Sequence, residues 1–117
     1  ALGGALGSVL RYGLSTGIHH WWGREFPWGT LVVNVLGSLV MGILFILLVE
    51  RMAASPALRG FWLVGLLGAF TTFSTFSLET LNLMQAGEPG RAAANVLLSM
   101  LLCIGAAGIG MSLGRQL

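Results

Sequence analysis

The sequence predicts an all-α membrane protein of four transmembrane helices, the third broken in mid-span. Three observations point there. First, 56% of the 117 residues are hydrophobic and 9% charged, with a mean hydropathy of +0.87; a soluble domain of this size needs far more polar surface. Second, Phe26 to Val49, Gly60 to Leu78 and Ala92 to Gly114 contain no charged residue, so each can supply the ~20 apolar residues of a spanning helix. Third, inside one of these stretches five of the seven residues from Thr71 to Ser77 carry a hydroxyl. Such residues weaken a helix, and non-helical backbone at membrane depth persists only where protein or a polar cavity satisfies it.

The spans follow in order. The first covers about 1–19 and is interrupted only by Arg11. Trp21, Trp22 and Trp28 bracket the connection from His19 to Pro27, as aromatic residues at a membrane interface do. The second span, about 28–50, starts after Pro27, where a missing N–H costs little. Ser55 and Pro56 predict an N-cap and first helical position for the third span, about 57–84. The Gly87-Glu88-Pro89-Gly90 turn leads to the fourth, about 90–115. All connections are short, so the chain is one four-helix transmembrane domain. Small-residue pairs at small-xxx-small spacing (Gly3/Gly7, Gly13/Gly17, Ser38/Gly42, Gly110/Gly114) suit close helix approach.

With the N-terminus on side A, Arg51, Arg59 and Arg115 fall on side A, Arg24 and Arg91 on side B. Arginine and lysine bias sets orientation, and this chain has almost none. Two readings stand: insertion in both directions, permitting an antiparallel dimer, or a balance tipped by residues outside this sequence. The slight positive charge does not point to nucleic acid. The single Cys103 forms no internal disulfide. His19 and His20 lack metal-ligand spacing to other donors and read as interfacial. With no Ser/His/Asp set, nucleotide motif or Cys/His cluster, the chain is not expected to be an enzyme.

The polar residues in the spans are the candidates for function. Thr30, Asn34, Ser38 and Gly42 share one helical face. A buried asparagine must be bonded, either across helices or, through its NH2, to an anion. Asn95, Ser99 and Cys103 form a second stripe. Phe70, Phe73 and Phe76 recur every third residue among the hydroxyls; packing explains such a stripe, and so does support of an anion by positive ring edges. A pore must hold an ion well enough to admit it and loosely enough to release it; amides, hydroxyls and ring edges meet that need. Carbonyls released between Gly68 and Thr72 are oxygen ligands of the kind that hold Na+ in other membrane proteins. Arg11 and Glu79 are charges within or near spans, and so functional candidates; Arg11 either draws anions into a vestibule, snorkels to an interface, or pairs with Glu79.

Gly3 to Tyr12, Gly29 to Gly37, and Gly65-Leu66-Leu67-Gly68-Ala69-Phe70-Thr71-Thr72-Phe73-Ser74-Thr75-Phe76-Ser77 together resemble the Fluc (CrcB) fluoride channels, in the family's order and spacing and across all four helices. The third motif is highly specific. The resemblance implies an antiparallel, dual-topology homodimer in the lipid bilayer of a bacterial plasma (inner) membrane. It implies two fluoride pores and a central structural Na+, giving passive export of cytoplasmic fluoride and so fluoride resistance. It further implies that Asn34, Phe73, Phe76, Ser74, Thr75 and Ser99 line the fluoride path, that Gly68 and Thr71 hold Na+ through backbone carbonyls, and that Arg11 and Glu79 occupy the family's charged positions. Asn95 stands where the family often has a tyrosine, and Cys103 where it has a serine, so part of the polar track is altered. A small proton-coupled multidrug-resistance transporter also has four helices and this length, but needs a carboxylate in its first helix, where this chain has Arg11. A non-transporting anchor leaves the hydroxyl-rich stretch unexplained.

Overall fold

The computed structural model describes residues 1–23 and 26–117; Arg24, counted above on side B, and Glu25 lie outside the described residues. The described residues form helices and no strand: α1 (Leu2–Trp22), α2 (Trp28–Arg51), α3 (56–70), α4 (Ser74–Gln85) and α5 (Pro89–Gln116). Residues 71–73 join α3 to α4, with Thr71 in extended backbone (φ −86°, ψ 159°). Trp28–Arg51, Pro56–Gln85 (which holds α3 and α4) and Pro89–Gln116 are each long and apolar enough to cross a membrane. The helix α1 is not among them, because Arg11 and its hydroxyl, histidine and glycine residues dilute its apolar character.

Local chemistry sets the helix ends. Pro27 is the N-cap of α2, and Ser55 Oγ accepts from the Leu58 N–H at 3.2 Å, with Pro56 opening α3. The Trp22 and Trp28 rings meet edge to face, 5.7 Å apart, across the first connection. Two segments take the wider π-helical winding, Ile46–Arg51 at the end of α2 and Gly60–Leu67 within α3. Such turns are rare and recur at functional sites; nothing in the residue pattern announced them.

Glycines decide which helices touch. α2 and α5 are the most extensively packed pair. A Cβ at Gly42 would collide with the Ala107 carbonyl, and one at Gly110 with the Leu39 carbonyl. Gly3 and Gly7 seat α1 on α3 in the same way, against the Phe61 and Leu66 carbonyls. Gly13 and Gly17 meet nothing within 4 Å, so that pair does not pack inside the chain. The core is small: Leu31, Val33, Ile46, Leu48, Leu67, Phe70, Ala92 and Ala106 are the buried hydrophobic residues. Leu97, Leu101, Ile104 and Ile109 instead face outward on α5, the inverse of a water-soluble surface.

Candidate functional site

The site is built on the junction at 71–73. Asn34 reaches it from α2 and clamps one peptide from both sides. Its Nδ2 donates to the Thr72 carbonyl at 2.9 Å, and its Oδ1 accepts from the Thr72 N–H at 2.8 Å. Gly37, three residues on, admits the junction: a Cβ there would collide with the Thr71 methyl and lie 3.2 Å from the Phe70 ring. The amide is thus used across helices, and its second Nδ2 hydrogen makes no hydrogen bond among the described residues.

The clamp changes the backbone ledger. In a continuous helix the Thr72 N–H would donate to the Gly68 carbonyl, but it goes to Asn34. Likewise the Thr75 N–H, which would serve the Thr71 carbonyl, donates to Thr72 Oγ1 at 3.2 Å. Gly68 and Thr71, the two residues assigned to Na+ by resemblance, have therefore both lost their helical donors to side chains. Other hydroxyls of the stretch also serve the backbone. Thr71 Oγ1 donates to the Leu67 carbonyl at 3.0 Å and Ser77 Oγ to the Phe73 carbonyl at 2.9 Å.

Two cavities flank the junction. The first, of about 400 Å³, lies between α2, 71–73, α4 and α5. Asn34, Ser38, Thr71, Thr72, Phe73, Phe76, Ser99 and Cys103 line it, with Met41, Met100 and Ile104, and no charged residue. The Phe73 and Phe76 rings stand 5.4 Å apart and tilted by 48°. Phe70, third of that stripe, is buried in the core instead. Ser99 Oγ is buried with no hydrogen-bond partner. Phe73 is 77% exposed and Ile104 71%, so part of this cavity's wall is also the outer face of the chain.

The second cavity, of about 260 Å³, lies between α1, the start of α2 and the same junction. Arg11, Ser15 and His19, one face of α1, line it with Tyr12, Thr16, Thr30, Val33, Thr72 and Thr75. Thr72 is common to both linings.

The remaining candidates divide. Asn34, Phe73, Phe76, Thr71 and Ser99 meet at the first cavity; Thr75 and Arg11 line the second; Ser74 lines neither, its Oγ lying 3.5 Å from Thr72 Oγ1. Arg11 and Glu79 form no ion pair: Glu79 Oε1 accepts from Thr30 Oγ1 instead. The helical face Thr30/Asn34/Ser38/Gly42 thus spends its four members on Glu79, Thr72, the first cavity and α5. Asn95 is 1% exposed and donates to Thr80 Oγ1 at 2.8 Å. Thr80 and Thr72 are partners the sequence stripes did not single out; Thr80 follows Glu79 directly, and only the fold turns it to α5.

Comparison with known proteins identifies the family. Residues 1–111 match the family model described as CrcB-like protein, Camphor Resistance (CrcB). A protein of Magnetococcus marinus named fluoride-specific ion channel FluC is 59% identical over 115 residues, covering 98% of this chain and 94% of its own. One of Coxiella burnetii with the same name is 52% identical over 117 residues, covering 99% and 94%. A third, from Methylococcus capsulatus, is 51% identical across 100% of this chain, which spans 51% of that protein. The chain therefore belongs to the CrcB family, a family of ion channels and not of enzymes.

Proposed function

We propose that this protein is a fluoride-selective channel through which cytoplasmic fluoride leaves the cell passively. The observation that carries this is the uncharged, donor-bearing first cavity, which shares Thr72 with the arginine-bearing second one. A full-length likeness to proteins named fluoride-specific channels supports it. Fluoride is small and strongly hydrated, so a path must replace its water. The free Asn34 hydrogen, the Ser38, Thr72 and Ser99 hydroxyls, and the Phe73 and Phe76 ring edges supply positive ends with no fixed charge to trap the ion. On this reading Arg11 draws the anion to the second cavity, Thr75 and Ser74 lie at the approach to Thr72, and Glu79, held by Thr30, braces α4 against α2.

The working unit is an antiparallel, dual-topology homodimer with all four spans, α1 included, in the inner membrane of a bacterium. Exposure of cavity-lining Phe73 and Ile104 supports a second copy that completes the wall. The donor set at Gly68 and Thr71 fits Na+: both carbonyls have lost their helical donors, and hard cations take oxygen ligands. Bound there, Na+ would supply a structural positive charge held by the Gly68 and Thr71 carbonyl oxygens. The transporter alternative needs a carboxylate that α1 does not carry.

The test is anion efflux from liposomes holding the purified protein, fluoride against chloride, with and without Phe76→Ile. Fluoride-only efflux, lost in the variant, is expected. Folded protein that passes no fluoride, or chloride equally well, would sink the proposal.

A further inference from the structure

We infer that His19 is a second anion-drawing group of the Arg11 cavity and makes fluoride capture depend on pH. The inference rests on the channel reading and adds a regulator to it. His19 lies two turns beyond Arg11 on the same face of α1, ~12 Å along the helix axis, and both line the second cavity. Its Nδ1 lies 3.4 Å from the Gly23 carbonyl, which accepts from a protonated Nδ1. Nε2 then faces the start of α2: a Cβ at Gly29 would sit 2.7 Å from His19 Nε2 and 2.7 Å from Ser15 Oγ. Only glycine leaves room for the ring there.

Histidine gains its charge between pH 8 and 5. In the neutral ring with Nδ1 protonated, Nε2 accepts; protonation turns it into a donor and adds a full charge to the one Arg11 supplies. The uncapped N-terminus of α2, whose first N–H groups carry partial positive charge, adds to the same field. The other titratable groups around His19 are few. Tyr12 and Arg11 share its cavity, His20 turns its ring to Trp21 (centroids 6.4 Å apart), and the first turns of α2 carry none. Glu79 is not part of the lining; it accepts from Thr30, which is. Arg24 and Glu25 lie outside the described residues. Among the described residues no carboxylate lines the cavity, so protonation of His19 makes it more positive and raises the local anion concentration.

The experiment measures fluoride efflux from liposomes at pH 8 and pH 6, at subsaturating fluoride and low ionic strength. Efflux from protein-free liposomes is subtracted at each pH, because neutral hydrogen fluoride crosses lipid. Wild type is expected to run roughly threefold to tenfold faster at pH 6. That ratio shrinks when inert salt shortens the screening length from ~30 Å at 0.01 M to ~8 Å at 0.15 M. His19→Gln loses the ratio and stays slow; His19→Arg loses it and stays fast. A wild-type ratio of one overturns the inference, as does a pH dependence that survives in His19→Gln. Absence of flux at both pH values takes down the channel reading instead. In that event fluorine NMR of fluoride binding to the purified protein decides about His19: tighter binding at pH 6, lost in His19→Gln, upholds it, and pH-independent binding overturns it.

Discussion

Removing the amide that clamps the junction at 71–73 is the sharpest perturbation available. Asn34→Ala deletes two hydrogen bonds to one peptide, at 2.9 and 2.8 Å. Side-chain hydrogen bonds inside membrane proteins average about 0.6 kcal/mol and reach about 1.7 kcal/mol, so two are worth ~1–3 kcal/mol. The loss is tempered, because the Thr72 N–H has the Gly68 carbonyl four residues back as its helical alternative. Taking that alternative relieves one stranded donor and leaves the Thr72 carbonyl without its partner. The expected cost is therefore ~1–2 kcal/mol, roughly a 5- to 30-fold shift in the folding equilibrium. The same relaxation consumes the Gly68 oxygen and straightens the chain through the first cavity, so fluoride efflux should fall at least about tenfold. Equilibrium unfolding in mixed micelles measures the first quantity and liposome efflux the second. Asn34→Asp separates the two bonds: its carboxylate still accepts from the Thr72 N–H but donates nothing to the Thr72 carbonyl. Wild-type stability within ~0.3 kcal/mol together with wild-type efflux in Asn34→Ala would refute the argument.

Further outcomes follow from particular contacts. Ser99→Ala removes a buried hydroxyl that has no partner, so thermal stability should hold or rise by about 1 kcal/mol while efflux falls; a marked loss of stability would show that Ser99 is bonded after all. Gly42→Ala and Gly110→Ala each drive a methyl into a backbone carbonyl of the facing helix and should cost about 1–3 kcal/mol or more. Gly105→Ala, with nothing within 4 Å of its Cβ, should be neutral or up to about 1 kcal/mol stabilising, and equal melting of all three would undo the packing account. Thr30→Val strands the Glu79 carboxylate and should destabilise by ~1.5–3 kcal/mol, whereas Thr30→Ser keeps the donor and should stay near wild type; identical melts would show that the bond does not matter.

Much of the architecture is local and so legible in the residues. Apolar length places the helices; Ser55 and Pro56 open α3 as their chemistry requires. The hydroxyl-rich stretch falls where helical winding lapses at 71–73, because Thr and Ser offer the backbone nearby partners that compete with i→i−4 bonds. Less legible were the π-helical turns in α2 and α3, which depend on how each helix seats on its neighbours, and the partners of polar side chains. Arg11 and Glu79 were plausible as a pair from charge alone, yet Glu79 takes its bond from Thr30. Phe70, Phe73 and Phe76 shared a spacing, yet the lapse at 71–73 interrupts helical phase and sends Phe70 into the core.

By itself, then, the sequence determined that this chain is helical, apolar and suited to a bilayer, and which side chains would be costly there without a partner, since both follow from composition and neighbours within four residues. Only the tertiary structure decided that Asn34 holds a peptide 38 residues away and that Thr72 stands between two cavities. Those outcomes depend on which helix faces pack, and here packing is set by where glycine lets one backbone come against another.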